Sequence, residues 1–200
     1  MRTEQIQIYT FDELSESAKQ SAIQDYREGN TEYFWLDEWV DSLKKFADVT
    51  GIKIDDYGIG AYCYAYVRWS FDPFDWWLDK DTNDLSGLRL RTWLINNWLP
   101  EFEKGKYDSL GIYHKSRYSK IQTEVCFTLT GYCGDMPLID PILEFISKPD
   151  NSSLHDIIED CFSRWVNECQ ADLEYQDSDE FIIEEFNQLG SEFLDDGSIA

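Results

Sequence analysis

The chain has 200 residues, 42% of them apolar and 16% aromatic, and carries 40 Asp and Glu against 17 Lys and Arg, a formal net charge of -23 at pH 7. That apolar content is enough for one sizeable core and argues against disorder despite the charge. The charge excludes direct binding to nucleic-acid phosphates and to anionic membranes, and it favours basic protein surfaces as partners.

No window approaches the apolar run of about 18 residues that a membrane span needs. Met1 to Tyr9 lacks the apolar core of a signal peptide, so a cytoplasmic protein is expected. The five cysteines, Cys63, Cys126, Cys133, Cys161 and Cys169, include no Cys-x-x-Cys pair and read as small buried thiols. The expected architecture is one α+β domain. Residues 1–150 form a body in which an antiparallel sheet of three to four strands packs with a helical hairpin, and residues 151–200 form acidic helices.

Gln5 to Tyr9 reads as a short strand, and Thr10-Phe-Asp-Glu13 has the form of a capping box, with Ser15 a second cap just beyond. Leu14, Ala18, Ala22, Ile23 and Tyr26 then fall at helical spacing until Gly29-Asn30. Thr31 can cap a second helix with Leu36, Trp39, Val40, Leu43, Phe46 and Ala47 on one face, ending at Thr50-Gly51. These two helices are the expected hairpin.

Ile52 to Ile54 reads as a strand, followed by a turn over Asp55 to Gly60. From Tyr57 to Trp77 an alternating strand runs into an aromatic loop. Tyr62, Tyr64 and Tyr66 share one face of it, and Ala61, Cys63, Ala65 and Val67 share the other. Phe74, Trp76 and Trp77 in the loop are the candidate aromatic contacts. Leu85 to Leu99 is a helical span ended by Pro100, and Lys120 to Thr130 is the next alternating strand. Pro137 to Ile146 is a short helix, Ser152 or Ser153 caps a long one from Leu154, and Phe181, Ile182, Phe186 and Leu189 anchor the last.

Catalytic and metal patterns are sparse. Asp79-Lys-Asp-Thr-Asn-Asp84 copies half a calcium loop, but Asp84 stands where a glycine is needed and Leu90 where a bidentate glutamate should close the shell. His114 and His155 lack zinc-ligand spacing. Gly131-Tyr-Cys133-Gly-Asp135 sets a thiol beside a carboxylate, and it reads as a glycine turn more readily than as a nucleophile. No cofactor, no metal and no enzymatic activity are expected.

The charge is unevenly spread. Residues 151–200 hold 14 Asp and Glu and a single base, Arg164. Asp156, Glu159, Asp160, Glu168, Asp172, Glu174, Asp177, Asp179, Glu180, Glu184 and Glu185 form the candidate partner-binding face. The one basic region, with Arg89, Arg91, Lys104, Lys106, Lys115, Arg117 and Lys120, is expected to pair internally with acids.

The opening Ile8-Tyr-Thr-Phe-Asp-Glu-Leu-Ser15, with Ala18-Lys-Gln20, Ala22 and Tyr26-Arg27, and the close Phe193-Leu-Asp-Asp-Gly197 resemble a group of phage and prophage accessory proteins. Before the central strand the chain departs from that group, with Tyr57-Gly-Ile-Gly-Ala61 in place of a Gly-Asp-Gly-Ala-type loop. The resemblance implies a phage-encoded protein acting in a bacterial host cell. The expected function is anti-defence inhibition, in which the acidic face occupies a basic nucleic-acid-binding surface of a host protein in imitation of DNA or RNA. The alternative is a small-ligand or nucleotide-sequestering module that uses the aromatic strand and loop.

Overall fold

The structure, a computed structural model, describes residues 6–29, 36–60, 64–71, 85–103 and 129–200. The fold is mixed α and β, and the chain divides into two compact units. One comprises Met1–Tyr33 with Ala171–Ala200, the other Phe34–Gln170.

The first unit joins the two ends of the chain. Thr10 N and Oγ1 both donate to Glu13, at 2.9 and 3.0 Å, closing the capping box around the short 3-10 turn Phe11–Glu13. The regular helix α1 (Glu16–Gly29) begins at the second cap, where Ala18 N donates to Ser15 Oγ. The expected strand at Gln5 to Tyr9 reduces, among the described residues, to one bridge between Tyr9 and Phe193, whose backbones exchange two hydrogen bonds of 2.9 Å. A strand needs a longer partner, and the chain turns back after Phe193: Ser198 N and Oγ both donate to Asp196 Oδ1.

Phe11, Leu14, Ala18, Ala22 and Ile23 bury against Ile182, Phe186 and Phe193. The rings of Phe11, Phe186 and Phe193 lie 5.0 to 6.0 Å apart, distances at which tilted and edge contacts are favourable. The opening and closing motifs singled out in the sequence are thus two halves of one aromatic cluster. Gly197 closes it: its φ is +94°, and a β-carbon there would lie 2.2 Å from the Ala18 carbonyl oxygen.

In the second unit, α2 (Leu36–Thr50) buries Trp39, Leu43 and Phe46, as its periodicity indicates, together with Ser42 and Thr50, while Leu36, Val40 and Ala47 are half-buried. It packs on β1 (Ile52–Gly60), which pairs antiparallel with β2 (Tyr64–Phe71). Among the described residues the sheet has these two strands. The expected third strand, Lys120 to Thr130, lies outside them except for Leu129 and Thr130, which sit in a bend. α1 and α2, the helices of the expected hairpin, fall in different units: α1 packs on the helix ending at Leu189, and α2 on β1 and the helix beginning at Asp135.

The turn expected over Asp55 to Gly60 is also displaced, because β1 runs on through it to Gly60 with a bulge between Ile54 and Asp56. Gly58 pairs with Tyr66 and Gly60 with Tyr64. The tyrosine rings fill the space that β-carbons on these glycines would take, 2.5 and 2.6 Å from the nearest ring atoms. The glycines therefore serve cross-strand ring packing rather than a turn.

The chain continues through α3 (Gly87–Asn97), α4 (Leu99–Glu103), α5 (Asp135–Ser147), α6 (Leu154–Gln176) and α7 (Asp179–Leu189). Pro100, expected to end a helix, is the second residue of α4, where a missing N–H breaks no bond. Trp39 and Trp165 meet edge to face at 5.9 Å, and Phe46 packs against Phe102 and Phe162. Among the described residues no helix is long and apolar enough to cross a membrane.

Replacing Gly197 by Ala imposes both the left-handed backbone penalty and a backbone clash. A loss of about 2 kcal/mol or more is expected, read as a lowered urea midpoint.

Candidate functional site

The carboxylates of the candidate face divide between the two units. In the second unit, α6 presents Asp156, Glu159, Asp160 and Glu168, all exposed. Asp156, Asp160, Arg164 and Glu168 follow at four-residue spacing, so they stand along one side of the helix. Arg164 donates to both oxygens of Glu144 on α5, at 2.9 and 2.7 Å, and lies 3.0 Å from Asp160. This guanidinium holds Glu144 below the usual carboxylate range. Asp140, one turn before Glu144, is driven the other way, raised by its partial burial and then by the charge of Glu144. Five carboxylates, Asp140, Glu144, Asp156, Asp160 and Glu168, thus share the side of α5 and α6 that carries one guanidinium.

Each of these acids also has a local role. Ser153 N and Oγ donate to Asp156 Oδ2 at 2.8 and 2.7 Å while Asp156 N donates back to Ser153 Oγ, a reciprocal cap that lowers the Asp156 pKa. Glu159 accepts from Trp69 Nε1 at 3.1 Å, tying α6 to β2. Trp69 also lies 4.9 Å from the His155 ring and 5.5 Å from Phe162.

In the first unit the cation is Arg27. Its Nε and Nη2 donate to the Asp177 carbonyl at 2.9 and 2.8 Å, and Nη2 pairs with the Asp179 carboxylate. Asp177 and Asp179 are therefore bound within the corner between α6 and α7, which Ser178 caps through Phe181 N. Glu184 accepts from Gln188. Glu185 is half-buried and helps, after burial, to raise the Tyr26 pKa. Glu174 and Glu180 are exposed, and Asp172 is half-buried.

Sequence periodicity placed these eleven acids on helices but missed their neighbours. Asp140, Glu144 and Asp150 come from α5 and the segment after it. Only the Asp160 and Arg164 pair, at i and i+4, was legible locally. The other structural role that went unseen is Asp135, fully buried on α5. It accepts from the N–H groups of Leu129, Thr130 and Gly131 and from the Thr130 hydroxyl, at 2.8 to 3.1 Å. A carboxylate committed to four local donors is a loop clasp, so the Cys133 turn is a structural element. His114 lies outside the described residues, as do Phe74, Trp76, Trp77 and the half calcium loop.

The basic segment is described only around α3. There Arg91 donates to the Ile146 carbonyl at 2.7 Å, in the last turn of α5. On the sheet, Tyr64 and Tyr66 are exposed, with near-parallel rings 6.5 Å apart, and the Arg68 guanidinium lies 5.6 Å from the Tyr66 ring. Asp56 accepts from the Tyr66 hydroxyl, which raises the tyrosine pKa.

Removing Arg164 as Arg164→Ala should cost about 1 kcal/mol at low salt and less at high salt, because the pairs it forms are solvent-screened. Asp140 has the opposite sign. Its raised folded pKa favours the protonated form, so its contribution is complete below the unfolded pKa and is lost as pH rises through the folded value. Asp140→Asn should therefore raise the thermal midpoint at pH 7 and leave it unchanged near pH 3. Comparison of the chain with protein-family models, with curated protein sequences and with solved structures returns no match.

Proposed function

We propose that this chain is a non-enzymatic interaction protein whose carboxylate-bearing helices dock on the basic, nucleic-acid-binding surface of a host protein, in the manner of a phage anti-defence inhibitor. The observation that carries this reading is the ratio of charges around Arg164. One guanidinium, Arg164, is shared by Glu144 and Asp160, and the charges of Glu144 and Glu168 also act on Asp140 beside it. Asp140 is raised first by burial, and the negative charges of Glu144 and Glu168 add to that push. Placing an arginine or lysine of another protein there would offset those charges. Fields of this kind speed association and weaken with salt. The phage origin and the host setting rest on the resemblance of the two chain ends.

A second reading draws on the sheet. Tyr64, Tyr66 and Arg68 form an exposed aromatic and cationic row on one strand, the kind of surface on which planar rings stack, at about 1–3 kcal/mol per base in single-strand binders. The net charge of -23 opposes polyanions and leaves a small nucleotide-like ligand as the compatible class.

Capture of partners from bacterial lysate, with identification by mass spectrometry, separates the two. The docking reading expects a basic partner whose retention falls at high salt and after reversal of Asp156, Asp160, Glu184 and Glu185 to Lys. Retention indifferent to both sinks it. Nucleotide added at millimolar concentration should leave the thermal midpoint unchanged, and a clear upward shift would favour the sheet instead.

A further inference from the structure

A concave groove of about 790 Å³ lies where α5 passes through residues 148–153 into α6. Its apolar wall includes Pro141, Phe145 and Ile157, with Leu143 still 38% exposed. Its rim carries Glu144, Asp150, Asp156 and Asp160 with one lysine, Lys148, and Arg164 already pairs with Glu144 and Asp160. We propose that this groove receives a basic segment of the partner, with one apolar side chain set against Leu143 and flanking Arg or Lys side chains on the rim. The inference rests on the docking reading above and assigns it a seat.

Three observations favour this occupant. Pre-set acceptors come first: Asp150 Oδ1 accepts from Ser152 N at 2.8 Å and Asp156 Oδ2 from Ser153, so both carboxylates are fixed in orientation with a second oxygen each to offer. The second is separation. Among the described residues no three His, Cys, Asp or Glu stand close enough to share a metal ion, so the rim carboxylates stand apart and offer separate places to cationic heads. The third is the working example inside the protein. Arg164 forms two hydrogen bonds with Glu144 and approaches Asp160, showing the geometry in which this rim takes a guanidinium. An apolar centre with charged flanks matches both the wall and the rim, whereas a purely basic segment would leave Leu143 in water.

The probe is a fluorescein-labelled pentapeptide, Arg-Lys-Leu-Lys-Arg, and its counterpart with glycine at the centre, titrated by anisotropy into the full chain. The leucine peptide should bind roughly tenfold more tightly than the glycine peptide. Leu143→Ala should erase that difference, with circular dichroism confirming the fold. Asp150→Asn combined with Asp160→Asn should weaken both peptides. Equal binding of the two peptides, indifference to Leu143→Ala, or displacement by equimolar calcium would each overturn the groove. These failures are distinct from failure of the docking reading. If lysate capture keeps its salt and charge dependence in the Leu143→Ala variant while the peptides are not distinguished, the acidic faces dock without this seat.

Discussion

Like-charge repulsion is the constraint on which this structure depends, and two arginines mark where it is met. With 40 carboxylates against 17 lysines and arginines, the acidic helices fold next to other acids. Arg164 sits between Glu144 and Asp160 in one unit, and Arg27 binds the Asp177 carbonyl and the Asp179 carboxylate in the other. Both use the planar fork of guanidinium to reach more than one acceptor, which the single ammonium of a lysine does less well. Lys19, Lys53 and Arg68 pair with Glu16, Asp55 and Asp56, and other acids are held by neutral donors: serines at Asp150, Asp156 and Asp196, the indole of Trp69 at Glu159, and backbone amides at Asp135. Such bonds stabilise the anion without removing its charge. The surface therefore stays negative while the side chains that create it are ordered.

Burial supplies what the charges oppose. In the first unit the driving contact is aromatic, the Phe11, Phe186 and Phe193 cluster brought together by chain ends that pair through a single bridge at Tyr9. In the second, fully buried Leu43, Phe46, Trp165 and Ile158 do the same work beneath helices whose outer faces are acidic. α6 and α7 are thus divided lengthwise, with an apolar stripe in a core and most of their carboxylates turned outward. A surface built this way presents charge on rigid elements, and that rigidity lowers the ordering cost of docking on a basic partner.

Both readings of function rest on groups that the fold has placed but does not consume. The acids near Arg164 outnumber it, and the tyrosines of β2 cover glycines on one side and face solvent on the other. Asp135 and Cys133 show the contrast. There a carboxylate next to a thiol suggests chemistry on paper, yet both oxygens of the acid accept from its own loop.

Local pattern by itself determined where most helices run and which of their faces are apolar. It also determined the cap at Ser15, a cap at Ser152 or Ser153, and the concentration of negative charge after residue 150. These are properties of neighbours within one or two turns, and a 3.6-residue period or a side chain three residues from an amide records them directly. Only the tertiary structure decided that β1 continues through Gly58 and Gly60, since the reason lies in the Tyr64 and Tyr66 rings on the opposite strand. Only it decided that Phe11 meets Phe193, that Arg27 closes on a corner 150 residues away, and that Glu144 joins Asp160 around Arg164. Such pairings depend on which distant segments the burial of apolar surface brings together, and no local period in the chain encodes that choice.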